Sequence, residues 1–271
     1  MPKIEVRAQS RVRTECAWLS KYASNVASQC GQDGILEKML DVIGAENRWC
    51  VEFGAWDGKY LSNTWNLISN KGWSGVMMEG SEEKYQELLH NTREYKVHSF
   101  NKYVSINGET TLDSLLSQVE IPVGFDFLSI DIDGNDWHVW QSLTDYRPRI
   151  VCIEFNPTVA NEVYFVQDAD PSISQGCSLL ALIDLGKAKG YELAATSLWD
   201  GIFVRSELFS KFGIPDNSID AMYTPNGWVT HLFQGYDGTF WAAGNLTVGW
   251  KGIPFQADEL QVIPQSMRHY P

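Results

Sequence analysis

The sequence predicts an α/β fold: a Rossmann-like, doubly wound, mostly parallel sheet with helices on both faces. Two observations predict it. Short apolar runs rich in β-branched residues alternate with stretches of helical apolar spacing between residues 35 and 156. Several of these runs end in a glycine turn or an acid, as strands beside a ligand site often do. Because parallel strands need long crossover connections, this alternation indicates parallel strands joined by helices.

Each element is indicated by the spacing of its apolar residues and by the residue types at its two ends. The first helix has apolar residues at helical spacing from Ile35 to Ile43, and Ser81 is a capping residue followed by acids. The predicted order is helix 28–45, strand 48–55, helix 63–72, strand 73–80, helix 81–92, strand 94–100, helix 111–119, strand 125–133, helix 136–143, strand 149–156, helix 178–190, strand 191–197 and strand 200–206. The last two strands are expected to close the sheet as a pair.

The chain divides into three predicted parts. Residues 1–27 are a polar arm, residues 28–206 form the Rossmann-like domain, and residues 207–271 form an extension. The extension is rich in glycine and tryptophan and has no clear period, so an irregular, partly helical segment packed on the domain is expected. Such an extension is a candidate lid for an acceptor pocket.

Composition narrows the class of partner. The chain has 271 residues, a net charge of −13 and a pI of about 4.8, so its surface repels phosphate backbones and nucleic acid is not expected as a partner. Five scattered cysteines without a C-x-x-C pair indicate free thiols in a reducing compartment. No apolar segment is long enough for a membrane span. We therefore expect a cytoplasmic protein with a small-molecule ligand, and homo-oligomerisation is left open.

The stretch "CVEFGAWDGKYLSNTW", residues 50–65, carries the first functional signal. Glu52, Gly54 and Gly58 form an acid-x-Gly-x-x-x-Gly pattern between a strand and a helix, which differs from the dinucleotide pattern G-x-G-x-x-G. Glycines there let the backbone approach a ligand. The next strand ends in Glu79, and a carboxylate at that place can accept both ribose hydroxyls. Together these features favour a nucleoside ligand.

Four motifs in order resemble the FkbM-type branch of the class I S-adenosylmethionine-dependent methyltransferases. They are "SQCGQDGIL", "CVEFGAWDGKYLSNTWNLI", "KGWSGVMMEGS" and "FLSIDIDGNDWHVWQSL", and the resemblance covers about residues 28–156. It implies a methyltransferase that uses S-adenosylmethionine and acts on a hydroxyl, or as second choice a nitrogen, of a small molecule or sugar. Asp133 departs from the family pattern, which more often has glutamate there.

The resemblance also implies roles for single residues. Glu52, Gly54 and Gly58 would cradle the methionine and ribose, and Glu79 would hold the ribose hydroxyls. Asp131 would face the methionine amino group and the reaction centre. The other implied cofactor residues are Asp57 beside the second glycine, Ser81 and Asn101 near the adenine, and Gln32, Asp33, Asn63 and Thr64 around the pocket. Local capping and turn hydrogen bonds are the alternative roles of Asp33 and Thr64.

The string "DIDGND", residues 131–136, is a second cluster of acids. In a strand, Asp131 and Asp133 would point to the same side and would repel each other unless a cation or proton lies between them. The sulfonium and ammonium of the cofactor are one candidate cation. A Mg²⁺ ion held by Asp131 or Asp133 with Glu154 and Asn156 is a less favoured one.

Methyl transfer to oxygen or nitrogen needs a group that accepts a proton. His138, Asp133 and Glu154 are the candidates, together with Asp131 as a catalytic residue at the reaction centre. A packed histidine is the alternative interpretation of His138. The claims of two other histidines are weaker, and five aromatic residues could line an acceptor pocket or belong to the core: His98 and His231, and Trp199, Tyr223, Trp228, Tyr236 and Trp241.

Two other classes of function stay open at this point. One is a non-catalytic binding or scaffolding protein with the same fold; the intact set of Gly54, Gly58 and Glu79 argues against it, and thermal stabilisation by S-adenosylmethionine would discriminate. The other is a metal-dependent hydrolase that uses Asp131, Asp133 and Glu154 and does not need Glu79. The hydrolase predicts metal-dependent ester cleavage, whereas the methyltransferase predicts turnover of S-adenosylmethionine.

Overall fold

The computed structural model describes residues 3–7, 10–225 and 227–269. The strands are β1 Trp49–Phe53, β2 Ser74–Met78, β3 Val97–Phe100, β4 Phe127–Ile130, β5 Ile150–Glu154, β6 Tyr191–Thr196, β7 Asp200–Arg205, β8 Thr230–Gln234, β9 Phe240–Gly244, β10 Thr247–Val248 and β11 Ile253–Pro254. The α-helices are α1 Gln32–Ile43, α2 Trp65–Lys71, α3 Glu82–Thr92, α4 Leu112–Leu116, α5 Asp136–Ser142, α6 Leu179–Ala188, α7 Ser206–Phe209 and α8 Ile219–Met222.

The central sheet has seven strands in the order β3-β2-β1-β4-β5-β7-β6. Strands β1 to β5 are mutually parallel, and β7 is antiparallel to both β5 and β6. The chain starts at the centre, runs outward to β3 and returns to β4 on the other side of β1. Ligands of doubly wound sheets bind where the order reverses, beyond the carboxyl ends of the strands. The Rossmann-like fold prediction is confirmed, and so is the closing strand pair.

The core lies on both faces of this sheet, because the central strands are buried along almost their whole length. In β4 all four residues are buried, and α1 places Ile35, Leu36 and Met39 against the sheet. Helices α5 and α6 contact each other on one face, where Trp140 packs against Phe203. Continuous apolar strands of this kind are typical of parallel sheets covered on both faces.

A buried ion pair fixes the amino ends of the central strands, opposite the edge where a ligand would bind. Asp126 is fully buried and accepts hydrogen bonds from the backbone N–H groups of Glu46, Asn47 and Arg48. Its Oδ1 also accepts a bond of 2.6 Å from Arg149 Nη1. A buried charge with this many donors is stabilised rather than isolated. Sequence patterns gave no sign of this network.

Parts of the arm and of the extension join the main core. The arm contributes the 3-10 helix Trp18–Tyr22, with buried Leu19. The first third of the extension contributes a set of buried apolar residues: Phe212, Ile214, Ala221, Met222 and Tyr223. Strands β8–β9 and β10–β11 form two small antiparallel sheets that sequence patterns did not predict. Strand β8 is mostly exposed, so it shows no apolar alternation.

Within the described ranges, none of the helices combines the length and the apolar character that crossing a bilayer requires. The five cysteines are free thiols, and Cys30 is the one that is only partly buried.

Candidate cofactor and reaction site

Three loops meet at the carboxyl edge of the sheet, because β2, β1 and β4 are neighbours in that order. The loop after β1 begins with Gly54, the loop after β2 begins with Glu79, and the loop after β4 begins with Asp131. These residues are three of the predicted cofactor residues. The strand order therefore brings together positions that are far apart in the sequence.

The two glycines of the β1 loop have different roles. Gly54 has a φ of +69°, and a Cβ there would clash with the backbone carbonyl oxygen of Asp131. Gly58 also has a positive φ, of +75°, but a Cβ there would press on Leu88 and Thr92 of α3. Positive φ favours glycine at both positions. Only Gly54 brings the β1 backbone against the β4 loop; Gly58 lets the loop pass under α3.

Glu52 is buried near the end of β1, and its carboxylate forms hydrogen bonds with residues of the loop that follows this strand. It accepts hydrogen bonds from Ser62 Oγ at 2.5 Å, Asn63 N at 2.8 Å and Thr64 Oγ1 at 2.6 Å. Burial raises the pKa of this carboxyl, and the bonds from Ser62 and Thr64 act in the opposite direction. These contacts tie the polar triplet back to the strand. Thr64 is therefore a structural partner of Glu52 in this structure.

Two buried amide oxygens have no donor among the residues described. Asn63 donates from Nδ2 to Ser129 Oγ of β4 at 3.0 Å, while its Oδ1 has no partner. Asn101, just after β3, donates to Glu82 and also leaves its Oδ1 without a partner. Buried acceptors normally find a donor. Both positions are therefore suited to a ligand that carries N–H or O–H groups.

Glu79 is held in place by the backbone of two neighbouring loops. Its Oε2 accepts from Trp56 N at 2.9 Å and its Oε1 accepts from Ser81 N at 2.7 Å. The side chain is only 7% exposed. Each carboxylate oxygen can accept a further hydrogen bond. Ser81 also caps α3 by accepting from Lys84 N.

Two aromatic residues, Trp56 and Tyr103, contact Glu79 or the glycine that follows it, and sequence reasoning missed both. Trp56 has a φ of 50° and a half-exposed ring, with Lys84 Nζ 4.8 Å from the ring centroid. Tyr103 is largely exposed and packs directly over Gly80, where a Cβ would clash with its ring. Exposed aromatic rings beside a carboxylate are suited to a flat, polar ligand. The one available signal was that both residues lie in loops that follow strands.

The carboxylates of Asp131, Asp133 and Glu154 lie within 4.8 Å of one another. None of the three accepts a hydrogen bond from the part of the chain that is described. Strand β4 ends at Ile130 and Asp133 has a φ of 56°, so a turn rather than a continued strand brings the acids together. The prediction of a strand to residue 133 is thus too long. Asp136 fixes the turn by accepting from the N–H groups of Ile132 and Gly134 at 2.9 Å.

Burial shifts the titration of this cluster upward. It raises the pKa of Asp131 well above its ordinary value, with further contributions from Asp200 and Asp136. It raises the pKa of Glu154 to about 10, with Asp131 as the next cause. The pKa of Asp136 rises to about 6 for the same reason, against the opposing effect of its two backbone bonds. Burial therefore favours the protonated forms of Asp131 and Glu154, or a cation beside them, at neutral pH.

His138 makes a structural contact. Its Nε2 lies 2.8 Å from the backbone carbonyl oxygen of Gln167 and donates to it, and its ring meets Trp137 edge to face at 5.1 Å. Only Nδ1 is left to accept a proton. His98 lies on edge strand β3 and stacks on Trp49, and His231 lies on the exposed hairpin strand β8. The structure supports the packed interpretation of His138.

The residues predicted to close the pocket from α1 hold the fold together. Asp33 Oδ2 accepts from the backbone N–H groups of Val26, Ala27 and Ser28 at 2.8 to 2.9 Å. Gln32 Nε2 donates to Asp200 of β7 at 2.6 Å, across 168 residues of sequence. The local alternative therefore describes the contacts of Asp33. Gln32 instead connects α1 to a buried acid that sequence reasoning missed.

Asp57 and Asn156 are occupied by their own turns. Asp57 Oδ1 accepts from the N–H groups of Lys59 and Tyr60. Asn156 Oδ1 accepts from both N and Oγ1 of Thr158, and its Nδ2 donates to Gln175. Both lone pairs of that amide oxygen are used, so Asn156 is poorly placed as a metal ligand.

Of the five aromatics predicted for the pocket, Trp199 and Trp228 are in direct contact. Tyr223 is buried in the core, and Trp199 meets Trp228, which in turn meets Trp250, at ring distances of 6.4 and 5.9 Å. Tyr236 lies in the turn between β8 and β9, and Trp241 lies on β9.

The seven-stranded order, with an antiparallel β7 between β5 and β6, is that of the class I methyltransferase fold. No family model matches the sequence, and no curated protein is similar to it by sequence.

Solved structures are similar at a distance. The citrinin polyketide synthase CMeT domain is 13% identical with a TM-score of 0.43, and the match covers 64% of this chain and 51% of that one. Magnesium protoporphyrin IX methyltransferase (ChlM) from Synechocystis PCC 6803 is 12% identical with a TM-score of 0.38, covering 70% and 89%. Monomeric WbdD is 15% identical with a TM-score of 0.42, covering 69% and 44%. The match thus spans about half of the first and third structures, and the fold class rests on the sheet order of this chain itself.

Proposed function

We propose that the chain is an S-adenosylmethionine-dependent methyltransferase of the FkbM type that methylates a hydroxyl group of a small molecule or sugar. One observation carries the proposal: the Glu79 carboxylate, the Gly54 turn and the Asp131 carboxylate lie side by side at the point where the strand order reverses. A nucleoside with a positively charged tail matches these groups in their spatial order. Its ribose hydroxyls need a hydrogen-bond acceptor, and its positive charge is stabilised by carboxylates.

The unpaired groups of the site fit such a cofactor. Glu79 would accept from the ribose hydroxyls, and Asn101 Oδ1 would accept a donor of the adenine. Asn63 Oδ1 and Asp131 would face the ammonium and sulfonium end. Two orphaned amide oxygens and three carboxylates without donors are explained together by one ligand that carries both hydrogen-bond donors and positive charge.

Asp131 and Glu154 would then assist methyl transfer through their carboxylates. The bound cofactor would supply a methyl group on a positively charged sulfur. That charge would favour the ionised forms of Asp131 and Glu154, since an opposite charge lowers the pKa of a carboxyl. An ionised Glu154 could then take the proton of the acceptor hydroxyl. We assign it this role over His138, whose Nε2 is already bound to a backbone carbonyl.

Calorimetry tests the cofactor assignment directly. We expect S-adenosylmethionine to bind with micromolar affinity, roughly −8 kcal/mol. Absence of both heat and a melting shift at millimolar ligand would remove the proposal. Turnover is tested by an untargeted metabolite screen with methyl-labelled cofactor. Binding without any label transfer would favour the non-catalytic binding protein instead.

Replacing Glu79 by alanine should weaken S-adenosylmethionine binding by about 1.5–3 kcal/mol, because a hydrogen bond to a charged group is lost. Glu79→Gln should lose less, since it keeps one acceptor oxygen. Glu83→Ala is the matched control, because Glu83 is an exposed acid in the first turn of the adjacent helix α3. Calorimetry on the three variants measures the effect. Normal binding by Glu79→Ala would show that the ribose role is wrong.

Chelation separates the methyltransferase from the metal-dependent hydrolase. We expect methyl transfer to survive EDTA, because a Mg²⁺ site prefers several oxygen ligands and waters and Asn156 is already occupied. Activity that stops with EDTA and returns with Mg²⁺ would place a metal at Asp131, Asp133 and Glu154. Metal-dependent ester cleavage that is unaffected by Glu79→Ala would favour the hydrolase.

A further inference from the structure

A cavity of about 410 Å³ lies where the N-terminal arm, the start of α1, the turn between β6 and β7, and the segment after α8 meet. Its walls include Ala17 and Ser20 from the arm, Cys30 before α1, and Ser197 from the β6–β7 turn. Thr224 closes one side through a hydrogen bond of 3.0 Å to Ser10. Most of this lining comes from outside the strands and helices of the central sheet.

The wall of the cavity is connected through Asp200 to the acid cluster of Asp131, Asp133 and Glu154. Ser197 is a lining residue, and its hydroxyl donates to Asp200, which is fully buried. Asp200 is opposite Glu154 in the β5–β7 register, and Glu154 belongs to the cluster with Asp131. Cys30, also in the lining, is close enough to Asp200 and Asp131 for both to contribute to its raised pKa, after burial as the main cause. The cavity therefore lies at the same edge of the sheet as the proposed reaction centre, with the buried Asp200 between its lining and Glu154.

The lining has a clear chemistry: hydroxyl and aliphatic groups without a charged side chain. Its hydroxyls include those of Ser20, Thr196 and Ser197, and its apolar members include Val12 and Ile35. An anion in the cavity would find no cation among the lining residues and would lie near the buried acid Asp200, which costs free energy. The lining therefore selects against carboxylates and phosphates and suits a neutral molecule with both hydroxyl and apolar parts.

We propose that this cavity is the acceptor site, and that the acceptor is a neutral, hydroxyl-bearing, partly apolar small molecule. The proposal rests on the proposed methyltransferase function. Specificity would then come from the arm and the extension, while the central sheet holds the cofactor. Of the five aromatics expected in an acceptor pocket, Tyr223 lines this cavity.

A second cavity, of about 290 Å³, provides a control. It lies near the amino ends of β1 and β2 and is lined by charged residues, including Glu37, Arg48 and Lys71. This is the edge of the sheet opposite Glu79 and Asp131. It also contains an alanine, Ala45, so the same substitution can be made in both cavities.

The test fills each cavity in turn. Ala17→Trp should block the acceptor cavity and Ala45→Trp should fill the control cavity. The probes are p-nitrophenyl β-glucoside, which is neutral, and p-nitrophenyl β-glucuronide, which adds one carboxylate. In saturation-transfer NMR we expect the glucoside to bind the unmodified chain and Ala45→Trp, and to bind Ala17→Trp at least tenfold more weakly. The glucuronide should bind the unmodified chain at least about tenfold more weakly than the glucoside.

Three outcomes overturn the assignment: no binding of the glucoside at millimolar concentration, equal binding of the two probes, or equal binding by both tryptophan variants. Melting temperatures and the milder Ala17→Leu variant show whether Ala17→Trp is folded. Calorimetry with S-adenosylmethionine on the same samples separates the two proposals. Glucoside binding without cofactor binding would contradict the proposed methyltransferase function but not a ligand site in the cavity. Cofactor binding together with normal glucoside binding by Ala17→Trp would contradict the acceptor site but not the methyltransferase function.

Discussion

Asp131→Asn should lower the rate of methyl transfer by about two orders of magnitude or more, because it removes a negative charge beside the cationic reaction centre in a water-poor site. Asparagine keeps the shape of the side chain, so the Gly54 turn should still pack on the β4 loop. The measurement is label transfer from S-adenosylmethionine to the acceptor found in the metabolite screen. A fully active variant would contradict our placement of the reaction centre.

The same substitution should stabilise the ligand-free protein in a pH-dependent way. Burial raises the pKa of Asp131 well above its unfolded value. The stability that comes from protonated Asp131 is therefore fully present below its unfolded pKa, about 4, and is lost as the pH rises towards the folded pKa. Asparagine cannot ionise and avoids this loss. We expect no difference from the unmodified chain at low pH and a gain of about 1–2 kcal/mol near pH 8.

Urea unfolding at both pH values measures this gain. Asp133→Asn is the control, since Asp133 is an exposed acid of the same turn and asparagine tolerates its positive φ. Because the Asp133 charge also acts on Asp131, this variant should show a smaller gain than Asp131→Asn at high pH and none at low pH. Equal stabilisation at low and high pH, or an equal effect of Asp133→Asn, would show that the titration of Asp131 is not the cause. Lower activity together with higher stability would mark Asp131 as a functional residue.

The fold was predictable because its signals are local. Most strands of the central sheet are short apolar runs, and some helices begin at a capping residue, as Ser81 shows for α3. Strands β8 and β9 were not predictable in the same way. Their residues are largely exposed or partly buried, so neither alternation nor a continuous apolar run marks them. The end of β4 was missed by three residues because Asp133 turns the chain.

The site was predictable only where its residues directly follow the ends of strands. Glu79, Gly54 and Asp131 follow three strands, so their meeting follows from the strand order. Residue type alone could not separate acids that face a ligand from acids that hold loops. Glu52 and Asp33 have every feature of ligand-binding acids in the sequence, yet their carboxylates are occupied by neighbouring donors.

The long-range parts of the site left no sequence signal. Asp200 is the first residue of the buried antiparallel strand β7, and its carboxylate accepts a hydrogen bond from Gln32, 168 residues earlier. The proposed acceptor cavity depends on contacts between the arm and the segment after α8, such as Ser10 with Thr224 across 214 residues. Contacts at this separation are set by the packing of whole elements rather than by any local pattern.

Gly54→Ala should reduce both stability and cofactor affinity, because its Cβ would meet the backbone carbonyl of Asp131. Gly72 is a matched control: it has nearly the same φ, +70° against +69°, but a Cβ there has nothing within 4 Å. Both variants carry the strain of a positive φ, about 1 kcal/mol. The difference between them isolates the contact with the β4 loop.

We expect Gly54→Ala to cost about 1–3 kcal/mol more than Gly72→Ala in urea unfolding, as overpacking usually does. Gly54→Val should cost more again, since a β-branched residue at this φ is strongly disfavoured. In calorimetry, Gly54→Ala should weaken S-adenosylmethionine binding at least tenfold, or about 1.4 kcal/mol, whereas Gly72→Ala should bind normally. Equal costs in the two alanine variants would show that the β1 turn does not press on the β4 loop. Lost stability with unchanged affinity would make Gly54 a purely structural glycine.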